Sequence, residues 1–166
     1  MPSKDQESDW FTRTHAILSK NGYEAYEVSN FSKPGFECIH NLHYWNIEPY
    51  LAFGPSAHGY DGKYRWNNAR SLDQYIERVM SGNSPMSMKE EITLLDHINE
   101  KIGFGMRMIK GIDLDMIPNE FQKKFKNNIK IIEQRYPDHI QVSDKNFTFT
   151  QKGMLFADQL IPEILL

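Results

Sequence analysis

The sequence predicts a mixed chain, α/β in its first half and α+β overall once the second half is included, on three observations. A Gly-terminated helix runs straight into the alternating stretch YEAYEV (residues 23–28), the helix-to-strand step of a layered structure. The run YLAFGPSA (residues 50–57) is apolar with little alternation, as in a strand buried on both faces. Beyond Gly111, a helix, a proline breaker, a hairpin and a last helix follow one another as in a winged-helix-like unit.

Residues 5–20 read as a helix in which Trp10, Phe11, Ile17 and Leu18 form the apolar stripe and Asn21-Gly22 supplies the stop. The strand at residues 23–28 ends at the Pro34-Gly35 turn. Asp61-Gly62 marks a tight turn into a short strand at residues 63–66. Ser71 with Gln74 is a capping box for a helix whose apolar face is Leu72, Tyr75, Ile76 and Val79, ending near Ser81-Gly82. Ser87 with Glu90 repeats the device for a longer helix carrying Ile92, Leu95, Ile98 and Ile102, running through Met106 to a stop at Gly111.

The next helix carries Phe121, Phe125, Ile129 and Ile132 on one face and stops before Pro137. Ile140 and Val142 then face Phe147 and Phe149 across the turn Asp144-Lys145-Asn146, and Thr150 caps a helix through Leu160. The Gly-Asn-Ser-Pro stretch before Met86 places a domain boundary there, giving residues 1–86 and 87–166. The first part has too few strands to cover a doubly buried one, so it reads as a piece of a larger α/β domain.

At 166 residues, 40% hydrophobic and 25% charged, the chain has the composition of a folded globular protein. A net charge of −3 supplies no global attraction to nucleic acid or anionic membrane. Lys123, Lys124, Lys126 and Lys130 lie on one helix, but residues 111–166 hold seven Lys or Arg against eight Asp or Glu, so nucleic acid is not an expected partner. No run approaches a membrane span and the first ten residues lack a signal-peptide pattern, so a cytoplasmic setting is expected. One cysteine, Cys38, can neither close an internal disulfide nor by itself hold a metal cluster, and the plain reading is a buried, inert thiol.

Chemistry concentrates in two places. His40-Asn41-Leu42-His43-Tyr44-Trp45 follows a turn and is expected on a loop at the sheet edge, where ligands bind α/β sheets. Either histidine can serve as an axial haem ligand, with Tyr44 and Trp45 as apolar contacts; the alternative is loop histidines held by buried aromatic anchors. Gly54, Ser56, Ala57 and His58 leave room for a cofactor to approach the backbone, or for a helix to pack closely. Glu27 is either a proton carrier lining a cavity or a solvated strand carboxylate. Met106 and Met108 are either core or an exposed docking patch.

The blocks YEVSNFSKPGFECIHNLHYW (residues 26–45) and YLAFGPSAHG (residues 50–59) resemble the oxygen-independent coproporphyrinogen III oxidase-like family of radical S-adenosylmethionine proteins. The His-Asn-x-x-Tyr-Trp element is similar to that of the family's haem chaperones. The tail, MRMIKGIDL through FTFTQKGMLFADQL, is similar to the family's winged-helix-like carboxyl-terminal domain. The resemblance covers only the family's later half and lacks its Cys-x-x-x-Cys-x-x-Cys motif, so it implies a fragment: the last segments of a partial (β/α) barrel followed by that domain.

What the resemblance implies is a parent with a 4Fe-4S cluster and S-adenosylmethionine that carries or acts on a tetrapyrrole, neither cofactor being expected in this chain. His40 is the implied haem-iron ligand, with Asn41, Tyr44 and Trp45 beside it and Glu27 and Asn30 facing the same cavity. Gly54, Ser56, Ala57 and His58 would border the S-adenosylmethionine or tetrapyrrole cavity. The favoured reading is haem binding and delivery to an acceptor protein, without catalysis by this segment. Its alternatives are oxidative decarboxylation of coproporphyrinogen III by the parent and a non-enzymatic interaction module.

Overall fold

A computed structural model describes residues 3–166. In chain order the elements are α1 (Lys4–Lys20), β1 (Glu24–Ala25), β2 (Phe31–Ser32), α2 (Ile39–Trp45), β3 (His58–Tyr60), β4 (Tyr64–Asn68), α3 (Leu72–Met80) and β5 (Met86–Glu91). They continue with α4 (Leu94–Arg107), β6 (Ile112–Asp113), a 3-10 turn at Leu114–Met116, α5 (Asn119–Arg135), β7 (Ile140–Val142), β8 (Asn146–Phe149), α6 (Gln151–Leu155) and α7 (Ala157–Ile164). The class is α+β, and every ladder among these strands is antiparallel. The chain forms two compact units, residues 1–46 with 98–166 and residues 47–97. The boundary expected at residues 86/87 instead falls within the second unit, at the start of β5.

The first unit is built on one core. Ile98, Ile102 and Met106 on α4 meet Phe125, Ile129 and Ile132 on α5, with Phe147 and Phe149 from β8 and Leu160 and Ile164 from α7. These positions recur every three or four residues on each helix, so burial selects one face. The sheet has the order β6-β8-β7, with Ile140 opposite Phe149 and Val142 opposite Phe147 as the alternation predicts. Gly111, at φ +65°, enters β6 against β8; a Cβ there would collide with the Phe147 carbonyl oxygen. Thr150 caps α6 by accepting from the Gly153 N–H at 3.1 Å. Met106 and Met108 are both buried, which is the core reading of that pair.

On α1 the inward positions are Ser8, Phe11, His15 and Leu18, whereas Trp10 and Ile17 are exposed. The expected stripe mixed two faces, because Trp10 and Phe11 are adjacent and a helix separates neighbours by about 100°. The expected strand at residues 23–28 shrinks to Glu24–Ala25, paired with Phe31–Ser32 in a hairpin. Its continuation is turned back at Tyr26, whose N–H donates to the Asn30 carbonyl at 3.1 Å.

The second unit centres on the sheet β3-β4-β5. Residues 50–57 form no buried strand, apart from a Tyr50–Tyr60 bridge: Leu51 and Phe53 are exposed, Pro55 lacks an N–H, and Gly54 and Ser56 have left-handed backbones (φ 93° and 59°) that cannot continue a ladder. Asp61 closes the predicted turn by accepting from the N–H groups of Lys63 and Tyr64. Ser71 accepts from the Gln74 N–H at the start of α3, yet Leu72, Ile76 and Val79 on its expected apolar face are exposed. The Ser87-Glu90 device does not begin a helix. Those residues belong to β5, and α4 begins after Thr93, which exchanges capping hydrogen bonds with Asp96.

Candidate functional site

The hairpin β1-β2 is closed by a buried carboxylate. Glu27 is fully buried, and its Oε1 accepts from the Ser29 N–H at 2.8 Å and from Asn30 Nδ2 at 2.5 Å. Glu27 Oε2 has no protein hydrogen-bond partner. This is a structural acceptor inside a turn, unlike the solvated strand carboxylate that alternation suggested. The turn is fastened to the end of α4: Glu27 bridges Met108, the Val28 N–H donates to the Arg107 carbonyl at 3.0 Å, and the Ile109 N–H donates to the Tyr26 carbonyl at 3.2 Å.

Residues 40–45 lie on α2, not on a loop. IHNLHYW contains no glycine or proline, and its polar and aromatic residues fall at helical spacing. Asn41 and Trp45, four apart, are half-buried; His40 and Tyr44, also four apart, are exposed, with their rings edge-on at 5.0 Å. Asn41 Nδ2 donates to the Tyr26 hydroxyl at 3.2 Å. The Trp45 indole meets Phe104 edge-on at 5.7 Å, and the Arg107 guanidinium lies 5.5 Å from its ring centre, a cation–π contact. Trp45 Nε1 is buried without a protein partner. His43 is half-buried on the same helix.

Thus Glu27, Asn30, Asn41 and Trp45 belong to one network through Tyr26 and Arg107, and His40 and Tyr44 stand on the outer side of the same short helix. Shortly before His40 in the chain, Ile39 is 83% and Phe36 79% exposed. Cys38 is exposed as well, at the start of α2 where its side chain caps nothing, in contrast to the buried thiol expected. Sequence reasoning did not single out Tyr26, Phe104 or Arg107. Only Arg107 carried a signal, as a lone cation following the apolar run of α4.

Gly54, Ser56, Ala57 and His58 lie in the second unit, in the irregular segment leading to β3 and at its first residue. That segment is held by its backbone. The Gly54 N–H donates to the Tyr75 hydroxyl at 3.1 Å, the Gly54 carbonyl accepts from buried Asn68 at 3.0 Å, and the Ser56 N–H donates to the Ala69 carbonyl. His58 is exposed. Among the described residues no group of three or more His, Cys, Asp or Glu is placed to hold a metal ion, and no helix is long and apolar enough to cross a membrane.

No protein-family model matches the chain. Its sequence is similar to the Heme chaperone HemW of Lactococcus lactis subsp. lactis, at 32% identity over 156 residues, covering 89% of this chain and 41% of that protein. It is also similar to the Heme chaperone HemW of Bacillus subtilis, at 27% identity over 169 residues, covering 99% of this chain and 44% of that protein. Its fold matches part of coproporphyrinogen III oxidase (HemN) from Escherichia coli, a radical SAM enzyme, with a TM-score of 0.77, 20% identity, and coverage of 98% of this chain and 42% of that one. The chain therefore spans about two fifths of the length of the curated relatives it matches. Sequence and fold agree: the chain belongs to the oxygen-independent coproporphyrinogen III oxidase-like family, where its sequence relatives carry the HemW name.

Proposed function

We propose that this region is the haem-holding part of a coproporphyrinogen III oxidase-like protein, and that it receives haem as cargo for delivery to an acceptor protein. The observation that carries the reading is His40: an exposed imidazole with no hydrogen bond to the described residues, edge-on to exposed Tyr44 on the same helix, with the exposed apolar residues Phe36 and Ile39 shortly before it in the chain. Those residues fit the ligand. Haem iron takes an axial nitrogen, and the faces of its macrocycle favour apolar and aromatic contact.

In this reading His40 donates its free nitrogen to the iron while Tyr44 and Ile39 cover the ring. Asn41 and Trp45 act through α2 as positioning residues: the Asn41–Tyr26 hydrogen bond and the Trp45 contacts with Phe104 and Arg107 fix the helix that presents His40. Glu27 and Asn30 set the hairpin that carries Tyr26. An exposed ligand on a single helix suits cargo that must leave again.

We assign the 4Fe-4S cluster and S-adenosylmethionine of such a protein to sequence other than these residues, because a cluster requires several thiolates and this chain has Cys38 alone. Gly54, Ser56, Ala57 and His58 are our candidates for the edge of the S-adenosylmethionine or tetrapyrrole cavity; the left-handed backbone at Gly54 and Ser56 supports them, since it opens the main chain to close approach. The reading is tested by titrating the protein with haem. Wild type should give a saturable Soret shift that His40→Ala loses, and identical titrations of the two would remove His40 from the site.

A further inference from the structure

The first unit contains a cavity of about 290 Å³ bounded by α1, the β1-β2 turn, the end of α4 and the α6-α7 corner. Its volume lies at the small end of the roughly 300–1,000 Å³ typical of ligand sites, which suits a single ring rather than a macrocycle. Phe11, Val28, Phe31 and Met154 supply apolar wall, and Thr14, His15, Ser29, Arg107 and Asp158 supply polar groups, Arg107 being the cation among them. The His15 ring is held between Phe11 and Phe31, with centroids 4.4 and 4.7 Å away, and burial lowers its pKa, disfavouring the charged imidazolium.

Two nitrogens of residues on this lining, His15 Nε2 and Arg107 Nε, are buried behind it and have no protein hydrogen-bond partner. Buried nitrogens left unpaired are unfavourable, so these two side chains are not at their optimum around an empty cavity. Arg107 is largely enclosed, at 24% exposure, and its Nη1 donates to Asp158 Oδ1 at 2.6 Å. Asp158 itself is 87% exposed. A carboxylate so open to water loses little when another takes its place on the guanidinium. Arginine's planar fork also matches a carboxylate better than any neutral acceptor.

We propose that this cavity binds a small organic acid, a single carboxylate on an apolar body of one ring or a short branched chain. The carboxylate takes the Arg107 guanidinium in place of Asp158, and the body lies against the aromatic wall of Phe11, His15 and Phe31. This site does not depend on the haem reading, and no iron ligand takes part in it.

The test uses phenylacetate as the probe and phenylacetamide as its neutral match, titrated into the full chain and followed by NMR at the His15 ring and the Arg107 Nε–H. Phenylacetate should shift both signals saturably, and phenylacetamide should bind about tenfold more weakly, the cost of a lost charge-assisted bond. Asp158→Asn, an exposed change that leaves the core alone, should tighten phenylacetate about threefold or more by removing the competing carboxylate. Arg107→Gln should abolish binding. Equal affinity for the two probes, weaker binding by Asp158→Asn, or no saturable shift at these two side chains at millimolar probe would each overturn the proposal.

Discussion

Replacing Glu27 with alanine tests whether the turn beneath α2 is held by one buried carboxylate. The change removes the acceptor of two hydrogen bonds, from the Ser29 N–H at 2.8 Å and Asn30 Nδ2 at 2.5 Å, in a residue with no exposed surface. Hydrogen bonds to charged groups contribute about 1.5–3 kcal/mol each, so the gross loss is roughly 3–6 kcal/mol. Against this stands the relief of burying Oε2, which has no protein partner and costs about 1–3 kcal/mol as it stands. Taking the middle of each range, about 4.5 less about 2, the net destabilisation of Glu27→Ala is about 2–3 kcal/mol, and Glu27→Gln, which keeps the accepting oxygen without its charge, should lose about half as much. Urea unfolding followed by far-UV circular dichroism gives the global value. Hydrogen exchange at the Ser29 amide gives the local one, and it should accelerate in the alanine variant. A Glu27→Ala protein within about 0.5 kcal/mol of wild type, with Ser29 exchange unchanged, would show that Glu27 does not hold the turn.

Gly111→Ala should lower stability by about 3 kcal/mol, since the backbone is left-handed there and a Cβ would press on the Phe147 carbonyl across the β6-β8 pairing; a thermal midpoint equal to wild type would contradict it. Stability should fall with acid in a defined window. Burial lowers the pKa of both His15 and His139, helped at His139 by Lys152 and opposed by Asp138, so the unfolded chain binds protons that the folded chain resists. The contribution of the neutral imidazoles is complete above their ordinary value of 6.5 and is lost as pH falls below it. Urea midpoints at about pH 7.5 and about pH 5.5 should therefore differ less in His15→Leu than in wild type, and an unchanged difference would exclude His15 as a source.

The second half of the chain was legible because its signals are local and periodic. Phe125, Ile129 and Ile132 recur at helical spacing, and Ile140 and Val142 alternate against Phe147 and Phe149 over a short turn; each pattern has one geometry that buries it. The first half misled where hydrophobicity was read without period. Leu51 and Phe53 looked like a doubly buried strand, but the left-handed residues Gly54 and Ser56 break the ladder and both side chains are exposed. Leu72, Ile76 and Val79 are likewise exposed on a helix face whose pattern predicts burial.

The candidate site was partly legible. His40-Tyr44 and Asn41-Trp45 are four apart, a helical spacing hidden by the expectation of a loop after Pro34-Gly35. Arg107, Phe104 and Tyr26 could not be tied to them, because their contacts with Trp45 and Asn41 span tens of residues and leave no local pattern. His15 was half hidden. Phe11 stands four residues before it on α1, but nothing local ties it to Phe31 on β2, the other ring that encloses it.

We propose His40 as the source of the axial nitrogen to haem. Magnetic circular dichroism and electron paramagnetic resonance of the haem-loaded protein read the ligand directly. Wild type should show histidine-type ligation, His40→Ala should lose it, and free imidazole should restore it in the variant while circular dichroism shows the fold unchanged. Histidine-type ligation that persists in His40→Ala without added imidazole would contradict the account.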